Sequence, residues 1–300
     1  MTLPTLRLAT RGSAQARGQA EAVAEALRAT GCETQLVFVE TTGDRRQDVP
    51  LHVIGGQGVF VKEVQQAVLD DRADAAVHSA KDLPSAAHAG LVVGAFTARR
   101  DAADALIGRA LDDLPEGATV ATGSVRREAQ LSSVRPDLQF TQLRGNITTR
   151  LERIPPGGSI VMAVAALQVL GLTERIAQRL DPTIFVPAVG QGCVAVEVRA
   201  DDEATLDRLR SIDDAPTRHA VEVERTYLAE LGSGCSLPLG AHVDDGWLHV
   251  FLASSADGDV LDRVVFSEAV ELEGGDGDHD VARVTARRAH QVVARSAVAE

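Results

Sequence analysis

Aromatic residues make up only 3% of the 300 residues, so the interior has to be built from Ala, Val and Leu. Lysine is nearly missing. Of the 30 Lys and Arg positions only Lys62 and Lys81 are lysine, which hints that an ammonium is wanted at each. The three cysteines, Cys32, Cys193 and Cys235, are odd in number and widely spaced. That excludes a disulfide framework and a cysteine-based zinc site. The eight histidines show no metal-ligand spacing. No run approaches the ~20 apolar residues of a membrane span, and the first eleven residues lack the apolar segment of a secretory signal. The expectation is a cytoplasmic protein. A net charge of −13 argues against nucleic acid or an anionic membrane as partner. Gly55-Gly56-Gln57-Gly58 lacks the Gly-Lys-Ser/Thr ending of a phosphate loop.

What is present reads as α/β. Leu6 to Thr10 is a short strand, and Ser13 is placed to cap a helix with Ala16, Ala20, Val23, Ala24 and Leu27 on one face. Gln35 to Val39 is the next strand, followed by a polar loop through Asp44. Residues 45–58 lack periodicity and suit a lid. A helix then presents Phe60, Val64, Ala67 and Val68 inward. Ala73 to Val77 is strand-like and leads into His78-Ser79-Ala80-Lys81-Asp82-Leu83-Pro84. Alternating strands and helices predict a largely parallel sheet, with ligands at the carboxyl ends of its strands. Arg11, Ser13, Asp44, Lys81 and Asp82 all fall on such loops.

A strand from Leu91 to Phe96 leads to a crossover at Arg99-Arg100-Asp101. A second α/β pattern follows: strands at 118–121, 138–142 and 160–163, helices at 124–134 and 146–153, and helical stretches to Leu180. Val194 to Val198 is strand-like and returns to the first lobe. The reading is residues 1–96 with 194–213 as one lobe and 97–193 as a second. Two such lobes joined by two crossings predict a hinged cleft of the periplasmic-binding-protein kind. Residues 214–300 form a small α+β domain. It has a helix at 216–231, strands at 248–252 and 260–266, and a last helix presenting Val281, Val284, Val292 and Ala299 on one side.

The second lobe repeats one pattern twice. Thr122-Gly123-Ser124-Val125-Arg126-Arg127 and Leu143-Arg144-Gly145-Asn146-Ile147-Thr148-Thr149-Arg150 each join a strand end, a small polar turn, a helix start and arginines. Helix N-terminal N–H groups beside guanidinium forks suit carboxylates or phosphates. Arg11 and Lys81 add to a basic pocket in an acidic protein, implying a ligand with several anionic groups. Asp82 is the exception there. An ionised carboxylate among cations is suited to offset a cation formed in a reaction or to accept an N–H. Each residue singly has a plain structural explanation; their recurrence at strand ends favours a site. Leu231-Gly232-Ser233-Gly234-Cys235-Ser236-Leu237-Pro238 holds a thiol on a shaped loop, as an attachment point would. Cys193, in an apolar run, reads as core, and Cys32 is assigned nothing.

His78 to Pro84, Gly123 to Arg127, Leu143 to Asn146, Pro187-Ala188-Val189-Gly190-Gln191-Gly192 and Gly234 to Pro238 resemble, in order and spacing, the motif series of the porphobilinogen deaminase (hydroxymethylbilane synthase) family. The resemblance covers residues 5 to 240. It implies a dipyrromethane cofactor in thioether linkage to Cys235. It also implies a transferase, acting as a monomer, that joins four porphobilinogen molecules head to tail with loss of ammonia. Every pyrrole carries an acetate and a propionate, which explains the arginines. Loss of ammonia leaves a cation, which explains Asp82 as the catalytic carboxylate. Lys81, Ser79, Thr122, Ser124, Arg126, Arg127 and Asn146 match cofactor-holding positions. Arg11, Ser13, Arg144, Gly145 and Arg150 match positions on the substrate side. Asp44, Gln19 and Gln191 are further candidates left without an assigned role. Val53, Gln57 and Val169 stand where the family usually has a basic residue, and Ala215-Pro216-Thr217 replaces a His-Glu-Thr stretch. The alternatives are an anion-binding protein without turnover and a paralogue that holds the cofactor but turns over weakly. A two-lobe binder would need neither the third domain nor the Cys235 loop.

Overall fold

A computed structural model describes residues 4–45, 58, 60–232, 237–254 and 263–296. The chain opens with β1 (Leu6–Arg11), α1 (Ala14–Ala29), β2 (Thr34–Val39), a single turn α2 (Thr42–Arg45), α3 (Lys62–Leu69), β3 (Ala75–Ser79) and β4 (Leu91–Phe96). It continues through β5 (Asp104–Ile107), β6 (Thr119–Ala121), α4 (Val125–Val134), β7 (Gln139–Thr141), α5 (Ile147–Leu151), β8 (Ser159–Ala163), α6 (Val164–Leu170) and β9 (Gln178–Arg179). Then come β10 (Val194–Arg199), α7 (Glu203–Leu209), α8 (Ala215–Glu230), β11 (Leu239–Asp244), β12 (Trp247–Ala253), β13 (Val265–Glu271) and α9 (Gly277–Ser296).

The chain divides into two compact units, residues 1–100 with 192–218 and residues 101–191 with 219–300. The first holds a sheet in the order β2-β1-β3-β10-β4, with β1 parallel to β2 and β3, and β10 antiparallel to β3 and β4. Leu8, Val77, Val196 and Val198 face α1 residues Ala20, Val23, Ala24 and Leu27. The other face packs Ala9 and Ala76 against Val64, Ala67 and Val68 of α3. Phe60, expected on that helix's inner face, lies before its first turn and is half-buried elsewhere.

The second unit repeats the scheme with β7-β6-β8-β5-β9, β6 lying parallel to β7 and β8, and β5 antiparallel to β8 and β9. Two of these strands are not in the sequence reading. β5 is a four-residue, fully buried segment containing an acid, so it has no alternation to reveal it. β9 occupies the end of the stretch expected to be helical, where pairing with β5 overrides helix propensity. The same unit holds the meander β11-β12-β13 covered by α8 and α9. Ala129, Val186, Phe251 and Ala253 form a joint cluster between this meander and the second lobe. Gly240 permits the contact: a Cβ there would lie 2.6 Å from the Val186 carbonyl oxygen.

α9 is turned away from its expected face. Ala282, Ala286 and Ala289 are fully buried against the meander, while Val284 is 58% and Val292 40% exposed. Small side chains let the helix sit close to the sheet, and that proximity outweighs the larger apolar area of the valines. Residue 299 lies outside the described residues. Strand β13 begins at Val265, five residues later than the sequence pattern indicates; residues 255–262 are not described. Ala286→Leu is expected to lower stability by about 1–3 kcal/mol through overpacking, and Val284→Ala to change it by no more than about 0.5 kcal/mol. Urea unfolding of the two variants distinguishes this face from the alternative one.

Candidate active site

In the first unit the carboxyl ends of β1 and β3 lie side by side because these strands are parallel neighbours. Arg11 ends β1, and Ser13 caps α1 by accepting from the Ala16 N–H at 3.3 Å. β3 ends in His78 and Ser79 and runs into a 3-10 turn, Ala80–Asp82, held by the Ala80 N–H donating to the Cys193 carbonyl at 3.0 Å. Between these ends is a small pocket, open to solvent, lined by Arg11, Ser13, Gln15, Ala16, Gln19, Phe60, Val77, His78, Ser79 and Asp82. The fold therefore brings together five of the expected residues: Arg11, Ser13, Gln19, Ser79 and Asp82. Lys81 is the neighbour of Asp82 in the same turn.

Gln19 and Ser79 hold each other, with the Gln19 amide nitrogen donating to Ser79 Oγ at 2.9 Å and Ser79 Oγ 3.1 Å from the amide oxygen. The Arg11 guanidinium lies 4.1 Å from the centroid of the Phe60 ring. Stacking of this kind orients the guanidinium fork. Phe60 and His78 were not singled out by the sequence reading. A lone Phe near a helix start looks like core, and only the fold places it against Arg11.

In the second unit, Gly123 follows β6 where a Cβ would come 2.8 Å from the Leu143 carbonyl oxygen. The Ser124 N–H donates to Thr122 Oγ1 at 3.2 Å, and Ser124 Oγ caps α4 by accepting from the Arg127 N–H at 3.4 Å. Arg126 and Arg127 turn inward. Arg126 donates to Asp104 Oδ2 at 2.8 Å and to the Val186 carbonyl at 2.7 Å. Arg127 donates to Asp104 Oδ1 at 2.7 Å and to the Val161 carbonyl at 3.0 Å. Gln191 donates to Asp104 Oδ1 at 2.8 Å and to the Ala102 carbonyl at 2.7 Å. Burial alone would raise the pKa of Asp104. The charges of Arg126 and Arg127 and their hydrogen bonds outweigh it and hold the carboxyl well below the usual range. Burial lowers Arg126 in turn, against the opposing pull of Asp104. Arg127 Nε remains buried without a hydrogen-bond partner.

The third group is local. Asn146 caps α5, its Oδ1 accepting from the Thr149 N–H at 2.9 Å, and Arg150 Nε donates to the Gly145 carbonyl at 2.8 Å. Gly145 has φ 111°, a conformation that favours glycine. The Arg144 carbonyl lies 3.5 Å from Arg153 Nη1. The backbone of Asp44 falls in α2, but its side chain, together with Cys235, Val53 and Gln57, lies outside the described residues. Val169 is half-buried in α6. Among the described residues no cluster could hold a metal ion, and no helix is long and apolar enough to cross a membrane.

Residues 6–207 match the family model described as porphobilinogen deaminase, dipyrromethane cofactor binding domain. The chain is 48% identical over 248 residues to a porphobilinogen deaminase of Acidothermus cellulolyticus, covering 80% of this chain and 75% of that protein. It is 43% identical over 296 residues to one of Desulforudis audaxviator, covering 95% and 96%. One of Syntrophobacter fumaroxidans is 41% identical over 273 residues, covering 88% of each. Among solved structures, the methionine binding protein MetQ is similar with a TM-score of 0.45 at 12% identity, covering 74% of this chain and 94% of that one.

Asp104→Asn is expected to destabilise the protein by about 3–5 kcal/mol at neutral pH, since it leaves two buried guanidinium groups short of a counter-charge. The folded-state pKa of Asp104 lies below its unfolded value. Its contribution is therefore complete above the unfolded value and is lost as pH falls through the folded one. Denaturation of both proteins between pH 7 and pH 3 should show the gap intact until the acid end of that range.

Proposed function

The chain belongs to the porphobilinogen deaminase family, and from that premise we propose how its residues divide the work. The activity is that of a transferase: four porphobilinogen molecules are joined head to tail into hydroxymethylbilane, each losing ammonia, on a cysteine-linked dipyrromethane. The observation that carries the reading is the pocket at the ends of β1 and β3, where a single carboxylate, Asp82, stands with Arg11, Ser13, Gln19 and Ser79.

The roles follow from the chemistry of each side chain. Arg11, held against Phe60, and the N-terminal N–H groups of α1 behind Ser13 receive carboxylate side arms of the substrate. Asp82 offsets the positive charge that develops when ammonia leaves and accepts a pyrrole N–H. Among the described residues no hydrogen bond or ion pair holds its carboxylate elsewhere. Arg144, Gly145 and Arg150 extend the substrate-side contacts.

Ser79, Lys81, Thr122, Ser124, Arg126, Arg127 and Asn146 hold the cofactor, with Cys235 as its attachment point. The orphaned Arg127 Nε at the start of the ten-residue α4 fits a ligand bearing carboxylates. Arg126 serves chiefly by fixing Arg127 through Asp104, since both of its terminal nitrogens are already engaged. Bound dipyrromethane supplies the pyrrole carbon at which chain growth begins. Gln191 supports the same arginine pair from the other side of Asp104. Division into two lobes and a C-terminal domain, action as a monomer and a cytoplasmic setting complete the reading. The net charge of −13 supports the absence of a nucleic-acid partner.

Intact mass spectrometry of the native protein should show a mass above that of the chain by one dipyrromethane, and the Cys235→Ala variant the bare chain. A bare native mass, after production with porphobilinogen present, removes the cofactor assignment. Asp82→Asn should keep the added mass and lower ammonia release by about 10²–10⁴-fold; undiminished release refutes its catalytic role.

A further inference from the structure

A second carboxylate lies behind the pocket wall. Glu197 sits in β10 between Val196 and Val198 and is 4% exposed. Directly opposite residues share a sheet face. Ala195 pairs with His78, so Glu197, two residues on, shares the face of His78 that α3 covers. From α3, Gln65 Nε2 donates to Glu197 Oε2 at 2.8 Å. His78 Nε2 lies 3.2 Å from the same oxygen, with side-chain exposures of 3% and 5%. The two are close without being aligned as a hydrogen bond. His78 itself lines the pocket that Asp82 faces.

A buried carboxylate is unfavourable unless donors meet it, and packing in this strand would be served equally by valine. The geometry points to Glu197 as a positioning residue that holds the His78 imidazole in its Nε2–H form, leaving Nδ1 as the accepting nitrogen of a ring in the pocket wall. His78 is thereby a second proton-handling group beside Asp82. Each joining of two pyrroles breaks a C–N bond to release ammonia and forms a C–C bond. It also breaks the C–H bond of the attacked pyrrole carbon. His78 Nδ1 takes that proton, Glu197 stabilises the imidazolium, and the proton passes to solvent before the next addition. The charged groups that line the pocket with the ring are Arg11 from β1 and Asp82 from the 3-10 turn, and Glu197 from β10 stands beside its Nε2. This step rests on the Asp82 pocket being the active site; the tautomer does not.

The test is nitrogen NMR of the full chain labelled at histidine, with His78 assigned by its loss in His78→Gln. The expected spectrum has the proton on Nε2, and Glu197→Gln, whose amide can turn either an oxygen or an N–H toward the ring, is expected to give a mixture of the two tautomers. A proton on Nδ1 in the native protein, or an unchanged tautomer in Glu197→Gln, overturns the positioning role, and the first of these needs no variant to fold. In steady-state ammonia release, His78→Gln should lower kcat by about 10²-fold and Glu197→Gln by about tenfold, each with KM nearly unchanged. A folded His78→Gln protein with native kcat overturns the proton-handling role. Undiminished activity of Asp82→Asn with the expected spectrum instead rejects the active-site reading and leaves the His78–Glu197 pair standing.

Discussion

A carboxylate withdrawn from water must be met by positive charge or by hydrogen-bond donors, and the second unit is arranged around one such group. Asp104 opens a buried strand and collects Arg126, Arg127 and Gln191. These come from the helix after β6 and from the segment that follows β9. One acid thus ties together two connections that are far apart in the chain. It also decides which way the two arginines turn. Without it their side chains would have no reason to enter an apolar core, and the Ser124 turn would present different groups.

The same requirement arises in the first unit. Glu197 accepts from the Gln65 amide, and the His78 ring stands beside the same carboxylate oxygen. At Asp104, by contrast, two fixed cations hold the carboxyl ionised. Asp82 is the contrasting case. It is only partly buried, lies at a strand end, and faces the pocket instead of the core. Three acids in comparable α/β settings thus receive three tasks from their environments alone.

The repeated sheet scheme explains why basic and polar residues gather at similar places in both units. Parallel strands with returning helices put successive strand ends on one edge, and helix N-termini beside them. Arg11 with Ser13 in one unit, and Thr122 with Ser124 in the other, occupy equivalent turns between a strand and a capped helix. The antiparallel strand inserted in each sheet, β10 or β5, is the one that carries the buried acid.

Much of this was legible in the chain itself, for reasons that are local. The cap at Ser13, glycine turns, and apolar periodicity in α1 and α3 depend on neighbours within a few residues, so they can be read directly. The motif residues at strand ends were legible for the same reason. Strand β5, the alanine face of α9 and the position of Phe60 were not, because each is set by partners far away in sequence. A four-residue strand is defined by what pairs with it, and a helix of mixed alanines and valines by how near the sheet lies. The residue types and their turns, and with them the family, were determined by the sequence alone. Which acids are buried, and which basic or amide groups they hold in place, was decided only in the tertiary structure, because the desolvation of a charge depends on everything packed around it.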